Sequence, residues 1–333
     1  MPTEPLVSIV LPVCDGERWI GETLQSALAQ SYHPIEIIVV DDGSRDRTRE
    51  IAEAAAARDS RIRVIAQQNL GVAAARNRGI EVSRGEFVAP LDADDLWDPE
   101  KIAQQVRRMH AAGASSGLVY CWWVVIDAAG DARDSSPRWR IEGSGGRAAD
   151  TLLQVNFTGN ASVPLFRRDA IEKAGGYDAT LRARDGQGCE DWDLALKIAE
   201  RWSVAVVPAA LVAYRKQPDT MSARRDRMWR SFQLMATAAA GRRAIAPHVL
   251  RRAYQQFALH LAGSAYWSGA HGEAIAWGLR ALPSTLAIQI APYVLRMLAR
   301  QAVPPVRIEA GAPFDAAHLP EPLIPYDRFY GST

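Results

Sequence analysis

The chain has 333 residues, of which 48% are hydrophobic and 23% charged, with a formal net charge of +1. That is enough apolar sequence for one large globular domain or two smaller ones, and the near-neutral balance gives no reason to expect nucleic acid as a partner. The balance hides an asymmetry: between Arg224 and Gly272 stand eight arginines and one acid, Asp226, so this segment carries about +7 and the remainder about −6. Cys14, Cys121 and Cys189 are far apart and form no CxxC, which argues against a disulfide framework and a zinc site and for a reducing compartment. Met1 to Leu6 lacks the pattern of a signal peptide. The longest uncharged run, Ala281 to Leu295, contains Pro283 and Pro292 and falls short of the ~20 residues of a spanning helix. A cytoplasmic location is expected, at most peripheral at the inner face of the membrane.

Val7 to Val13 reads as a buried strand, and Ile20, Leu24, Ala27 and Leu28 follow at helical spacing. Ile35 to Val40 is a continuous β-branched run that ends in the turn-forming cluster Asp41 to Asp46, ahead of an Ala-rich helix from Thr48 to Arg58. The unit repeats with a strand at Ile62 to Ala66, a helix at Gly71 to Val82, a strand at Phe87 to Leu91, and a helical face of Ile102, Val106 and Met109. Such alternation predicts a mostly parallel sheet covered by helices on both sides, with right-handed crossovers. The ends of the first, second and fourth strands then line one crevice, where open α/β sheets place their ligand chemistry.

The fourth strand runs straight into Asp92-Ala93-Asp94-Asp95. Asp92 and Asp94 can offer oxygens to one hard cation of the kind completed by substrate phosphates. An Asp-rich turn that only caps the next helix is the other reading, and Asp98-Pro99-Glu100 has the form of such a cap.

Leu118 to Ile126 predicts a further strand, and Asp127 to Gly146 a long surface loop without periodicity. A second block comprises a strand at Ser162 to Phe166, a short helix at Arg168 to Ala174, the turn Gly175 to Asp178, a polar loop from Arg182 to Gly188, and a helix opened by Glu190 and Asp191. In that helix Trp192, Ala195, Leu196 and Ala199 share one face, which docks the helix and leaves its first turn at the rim. Val204 to Val207 and Ala210 to Tyr214 read as closing strands, and the signal is helical from about Ser222. Ala262, Ala265, Tyr266, Gly269, Ala274 and Ala281 have the spacing of a helical hairpin, expected to pack on the preceding domain. The Pro-rich tail from Val303 is expected to lie along the surface or be disordered.

Five stretches together resemble the family 2 glycosyltransferases: Val7 to Val13, Val39 to Ser44, Asn69 to Asn77, Leu91 to Asp95 and Glu190 to Leu194, in that order and approximate spacing, over roughly residues 5 to 220. The resemblance implies an α/β GT-A fold, Rossmann-like, with a mostly parallel sheet sandwiched by helices and, here, a C-terminal helical extension. It implies a division into a GT-A domain over 1–220, with a nucleotide-sugar half at about 5–126 and an acceptor half at about 147–220, then a helical extension over 221–302 and a Pro-rich tail over 303–333. The implied reaction is inverting transfer of one sugar, hexosyl in type, from a nucleotide sugar, most often a uridine diphosphate donor, to a hydroxyl. The setting implied is cell-surface polysaccharide, lipopolysaccharide or glycoconjugate synthesis.

By the same resemblance Asp41 accepts a hydrogen bond from the base, Asp42 sits near the ribose or supports the turn, and Pro12 and Val13 form the wall beside the base. Arg76 reaches the nucleotide, and Ala93 belongs to the donor-contacting stretch. Asp94 is the principal ligand of a divalent Mg²⁺ or Mn²⁺, with Asp92 contacting ribose or cation; Asp95 either orients these two or caps the following turn. The cation bridges the phosphates and stabilises the departing nucleoside diphosphate. Inversion needs a base on the face opposite the leaving group. Asp191 fits that role, and its place in a first helical turn predicts an ionised carboxylate without a raised pKa. Glu190 and Asn160 lie where relatives hold the acceptor, although Asn160 equally suits a turn.

Two departures stand out. Many relatives carry a histidine soon after the Tyr-Arg at the sheet end, and here Tyr214-Arg215-Lys216 is followed by Gln217, leaving Arg215 and Lys216 to reach the diphosphate. Processive synthases carry Gln-x-x-Arg-Trp; here Ile198 precedes Arg201-Trp202, which points to single transfers. The competing functions are a nucleotidyltransferase, against which Cys14 to Arg18 is too short and acidic for a triphosphate loop, and a non-catalytic scaffold built on the helical hairpin. The expected partners are the donor and a glycan or lipid-linked acceptor. The basic helices over 224–252 either meet an anionic membrane or lipid pyrophosphate, or form a solvated face or a subunit contact.

Overall fold

The computed structural model describes residues 4–136, 138–143, 146–217, 224–281, 306–314 and 319. The first half contains β1 (Val7–Val13), α1 (Ile20–Leu28), β2 (Ile35–Asp41), α2 (Thr48–Ala56), β3 (Ile62–Ala66), α3 (Val72–Val82) and β4 (Phe87–Pro90). β1, β2 and β4 are buried along their whole length, as continuous apolar runs require when helices cover both faces. β1 lies between β2 and β4, parallel to both, with Val13 opposite Asp41 and Val10 opposite Pro90. The carboxyl ends of these strands therefore meet at one edge, and each polar cluster that follows them enters the same cleft.

Next come β5 (Leu96–Trp97), α4 (Lys101–Ala112), β6 (Ser116–Ile126), β7 (Asp131–Ser135), α5 (Gly146–Gln154), β8 (Leu165–Arg167), α6 (Arg168–Ala174), α7 (Glu190–Ala199) and β9 (Ser203–Arg215). They extend the sheet in the order β7-β6-β8-β4-β1-β2-β3. β8 is antiparallel to both of its neighbours, whereas β9 runs parallel to β6 along most of its length. The two predicted closing strands are one: pairing slips where Cys121 faces Val207 and Trp122 faces Ala210, across Pro208, which has no N–H to donate. The short β5 pairs antiparallel with the far end of β9, Leu96 opposite Ala213, and so draws β9 across the carboxylate turn.

The segment expected as a loop from Asp127 to Gly146 contains β7, paired antiparallel with β6. Its sequence, Asp131 to Ser135, has no apolar alternation, so the pairing comes from its partner strand rather than local preference. Asp98, predicted as the cap before α4, instead forms a turn ahead of the helix by accepting from Glu100 N at 2.8 Å, and the N-cap position falls on Glu100 without a side-chain bond. Of the tail, residues 306–314 and 319 are described and lie against the sheet edge. β10 (Val306–Arg307) adds to the free edge of β7, Ile308 is buried beside Leu96 and Val124, and Phe314 N donates to Asp98 Oδ2 at 2.7 Å.

α8 (Arg225–Arg242), α9 (Pro247–Trp267) and α10 (His271–Arg280) pack on the α/β body as the hairpin reading predicts. Trp192 of α7 meets Phe232 at 5.4 Å and Phe257 at 5.7 Å, Phe232 stacks on Phe257 at 4.4 Å, and Trp229 meets Trp277 at 5.3 Å. This aromatic cluster joins the helix that carries Asp191 to the extension. Four of the eight arginines of the basic segment are paired with acids of the fold. Arg225 pairs with Glu273 at 2.7 Å, Arg227 with Asp185 at 3.0 Å, Arg242 with Glu200 at 2.9 Å and Arg243 with Asp150 at 2.7 Å, while Arg230 donates to the Arg184 carbonyl at 2.9 Å. Arg224, Arg230, Arg251 and Arg252 are exposed. No described helix is long and apolar enough to cross a membrane, and the run from Ala281 to Leu295 lies, after its first residue, outside the described residues.

Candidate functional site

At the nucleotide side, Pro12 and Val13 are buried at the end of β1, and Asp42 N donates to Val13 O at 2.8 Å. Asp41 is buried and accepts from Ser44 N at 3.0 Å, which folds the turn back over the strand end. Asp42 supports the neighbouring loop: Oδ1 accepts from Gln67 Nε2 and Leu70 N, and Oδ2 from Gly71 N, each at 2.8 Å. Asp46 accepts from Thr48 N at 2.9 Å, as a turn residue ahead of a helix should.

The carboxylate turn is fixed from four elements. Asp95 N closes it on Asp92 O at 3.1 Å, Thr23 of α1 donates to Ala93 O at 2.9 Å, and Asp92 N donates to Ser162 Oγ at 3.0 Å. Asp95 is fully buried and collects three donors: Arg215 N at 2.9 Å, Asn160 Nδ2 at 2.7 Å and Ser162 Oγ at 2.6 Å. It thus orients the turn and caps nothing. Asn160, expected on the acceptor side, gives its amide to this carboxylate and accepts from Ser162 N at 3.2 Å. Arg215, expected at the diphosphate, is buried and tied to Glu22 at 3.0 Å and to the carbonyls of Asp94 and Asp127 at 2.9 and 3.2 Å, against the Trp19 ring. Sequence alone offered no sign of these partners, because they lie 65 or more residues from Asp95.

Asp94 accepts from Gln217 Nε2 at 3.0 Å. Burial, then the charge of Asp92, push its carboxyl up to about 6, against the pull of Gln217 and Arg215. Asp95 is driven up as well, by burial and by Asp94 and Asp92. Three carboxylates gathered at one turn, with Arg76 on Asp92 and Arg215 behind Asp94, can also receive a cation. Among the described residues no group of three or more His, Cys, Asp or Glu side chains is placed to hold a metal by itself, so a cation on Asp94 and Asp92 needs further oxygens from a ligand.

Arg76 links the donor side to α7. Its guanidinium is buried, 2.5 Å from Asp92 Oδ1 and 4.0 Å from Glu190 Oε1. Burial disfavours its charge, but Asp92 and the surrounding acids hold its pKa above the ordinary value. Expected to reach the nucleotide, it is here engaged with Asp92. Glu190 is buried and accepts from Gly188 N at 2.6 Å, shaping the turn into α7. Asp191 is half-buried at the rim and accepts from Trp192 N at 2.8 Å.

The expectation of an ordinary pKa for Asp191 is overturned. Burial, then Glu190, push it up to about 7, with Arg76 and the Trp192 N–H opposing. The helix start favours the anion, but desolvation outweighs it. The loop leading into α7 is latched to the nucleotide side by Arg182, which donates to Asn69 O at 2.9 Å. A residue not foreseen, Tyr177, lies beneath Arg76 with its ring centre 5.3 Å from the guanidinium; the Gly175-Gly176 turn before it was the available signal.

The profile of glycosyl transferase family 2 matches residues 8–175. The putative glycosyltransferase EpsH of Bacillus subtilis is 44% identical over 117 residues, covering 35% of this chain and 33% of that protein. The glycosyltransferase GlyG of Streptococcus pneumoniae is 41% identical over 110 residues, covering 32% and 36%. The match thus spans about a third of the length of these curated relatives. In fold, the chain is similar to the mannosyltransferase PcManGT of Pyrobaculum calidifontis, solved with GDP-Man and Mn²⁺, at a TM-score of 0.60 and 22% identity, over 89% of this chain and 81% of that one. It is also similar to residues 1–349 of S. aureus TarS with UDP-GlcNAc, at 0.59 and 18%, over 89% and 88%. The family profile covers half of the sequence, and the strand ends and carboxylate turn lie within it: the chain belongs to glycosyl transferase family 2 and has a GT-A fold with C-terminal helices.

Proposed function

We propose that this protein transfers one sugar at a time, with inversion, from a nucleotide sugar bound at the ends of β1, β2 and β4 to a hydroxyl of a glycan or lipid-linked acceptor. The observation that carries the reading is the Arg76 bridge, 2.5 Å from Asp92 and 4.0 Å from Glu190, which brings the donor-side carboxylates and the start of α7 into one cleft. In this reading Pro12, Val13, Asp41 and Ala93 line the nucleotide, Asp42 holds the loop beside it, and Asp94 with Asp92 holds Mg²⁺ or Mn²⁺. A cation held by Asp94 and Asp92 would supply positive charge to the departing nucleoside diphosphate. PcManGT, solved with GDP-Man and Mn²⁺, supports a donor and cation of this kind, and TarS, solved with UDP-GlcNAc, supports a uridine donor.

Asp191 takes the proton from the acceptor hydroxyl as oxygen attacks the anomeric carbon. A carboxyl pushed up to about 7 is ionised in about half the molecules at neutral pH and is a stronger base than an ordinary aspartate. Glu190 sets the backbone before α7 and, with Arg76, the field around the base. Single transfer is supported by Ile198 preceding Arg201-Trp202, and the product belongs to surface polysaccharide, lipopolysaccharide or glycoconjugate synthesis. We assign catalysis to residues 1–220, with 221–302 as an extension whose exposed Arg224, Arg230 and Arg251 offer a contact for anionic lipid. A thermal-shift panel of nucleoside diphosphates, nucleotide sugars and triphosphates, with and without Mn²⁺, tests the reading. Stabilisation by a nucleotide sugar with Mn²⁺ supports it; stabilisation by triphosphates alone sinks it.

A further inference from the structure

Between the loop over 182–188, α8 and α10 lies a cleft of about 400 Å³, none of whose lining residues belongs to the strand ends or the carboxylate turn. That volume falls within the about 300–1,000 Å³ usual for small-molecule sites. One stripe of α8 lines it: Asp226, Trp229, Arg230 and Gln233 recur at i, i+3, i+4 and i+7, while Ser231, Phe232 and Met235 of the same helix are buried against the body. α10 contributes its last residue, Arg280, and Arg227 meets Asp185 of the loop at 3.0 Å.

The fold treats the charges of this cleft differently from those nearby. Arg225, Arg242 and Arg243 are each paired with an acid. Among the described residues Arg230 and Arg280 have no carboxylate partner, yet both are held in place. Arg230 Nε donates to the Arg184 carbonyl at 2.9 Å, which leaves its terminal nitrogens for another acceptor, and the Arg280 guanidinium lies 4.3 Å from the centre of the buried Trp277 ring. A guanidinium fixed in this way meets a carboxylate or phosphate through paired N–H donors with little further loss of freedom. Beside them the Trp229 ring, anchored on Trp277 at 5.3 Å and Tyr254 at 5.7 Å, offers an apolar platform, and Gln233, Asp226 and Asp185 can accept from hydroxyls. An apolar platform, hydroxyl acceptors and two guanidiniums without acids are the chemistry of a sugar that carries an acidic group.

The cleft is also built against the reaction centre. Cys189 N, one residue before Glu190, donates to Ser231 Oγ of α8 at 2.9 Å. Gly188 has a φ of +132°, and a Cβ there would stand 2.2 Å from Met228 Sδ, so α8 sits directly on the turn that presents Glu190 and Asp191. We propose that the cleft binds an acidic saccharide unit of the acceptor, a uronate or a sugar phosphate, with Arg230 and Arg280 on its anionic group and Trp229 against its ring. That the saccharide is an acceptor rests on the transfer reading above; that it binds rests on the cleft alone.

Ligand-observed NMR titrations of the full-length protein, with UDP and Mn²⁺ present to occupy the donor side, compare trigalacturonate, glucose 1-phosphate and neutral maltotriose. Wild type should bind at least one acidic probe more tightly than maltotriose, and which one it binds tells carboxylate from phosphate. Arg230→Gln and Arg280→Gln should each weaken that binding by about tenfold or more, the loss of one charge-assisted pair. Arg280→Lys, which keeps the charge but not the paired donors, should fall between. Arg49→Gln removes the same charge from an exposed position on α2 and should change nothing. Melting temperatures are read beside each titration, so that a variant that has lost its fold is recognised and the lysine variant decides in its place. Equal affinity for maltotriose, no binding of either acidic probe, or undiminished binding in either folded glutamine variant overturns the inference. Because Arg230 is also exposed to a lipid surface, phosphatidylglycerol vesicles are titrated in parallel: vesicle binding lost in Arg280→Gln, with the acidic saccharide retained, assigns the charge to a membrane and overturns it as well. Hydrolysis of UDP-GlcNAc and GDP-Man is measured on the same wild type. Its absence beside a bound acidic probe refutes the transfer reading and leaves the saccharide site standing, whereas hydrolysis without probe binding refutes the site alone.

Discussion

Replacing Asp95 with alanine tests the scaffold of the site rather than its chemistry. The carboxylate receives Arg215 N at 2.9 Å, Ser162 Oγ at 2.6 Å and Asn160 Nδ2 at 2.7 Å. Arg215 and Ser162 are buried, so their donors cannot turn to water, whereas the less buried Asn160 amide can. Two stranded donors at about 1–3 kcal/mol each set the loss at about 2–6 kcal/mol. Relief of the repulsion from Asp94 and Asp92, which helps raise the Asp95 pKa, works against this. The expected net loss is about 2–4 kcal/mol, read from urea denaturation at neutral pH. Asp95→Asn keeps the shape and one acceptor oxygen and should lose about half as much. A change within about 0.5 kcal/mol for the alanine variant, the range of an ordinary surface substitution, would refute the reasoning.

Asp191 must be ionised to accept a proton, and its pKa is raised to about 7, so turnover should fall about tenfold per unit as pH drops below that value and level off above it. A pH–rate profile with its acid limb near 4 would contradict the burial argument. Asp191→Asn should lose about 10²- to 10⁴-fold in kcat while still binding the nucleoside diphosphate, measured by calorimetry beside turnover. Phe232→Ala removes the centre of the cluster that ties the extension to α7, and should cost about 3–5 kcal/mol in denaturant unfolding. A loss under about 1 kcal/mol would mean that the extension docks by other contacts.

The donor half was legible because its strands are buried on both faces and read as unbroken β-branched runs, and the polar clusters after them fall at strand ends by topology alone. β7 was not, because Asp131 to Ser135 carries no apolar pattern and owes its conformation to β6. α5 was missed although Ala148, Ala149, Leu152 and Leu153 form its buried face, since Gly and Arg at its start resemble the loop before it. At the site, residue types were readable but their partners were not. Asp95 depends on Asn160, Ser162 and Arg215, and the pKa of Asp191 depends on burial and on Glu190, with Arg76 opposing from α3; the helix start, which is local, predicted the opposite direction. Tyr177 had a signal in the two glycines before it, but its unpaired hydroxyl appears only once α3 packs against the turn.

Hydrolysis of the nucleotide sugar by wild type and Asp94→Ala, each with Mn²⁺ and with chelator, bears most directly on the proposed chemistry. Asp94 is the carboxylate pushed up to about 6 in the cleft and contacted there by Gln217. Wild type should cleave the donor with Mn²⁺ and lose that activity on chelation, and Asp94→Ala should be inactive in both conditions while retaining its fold by circular dichroism. Cleavage that persists in chelator, or an Asp94→Ala protein as active as wild type, would contradict a cation-assisted transfer at this site.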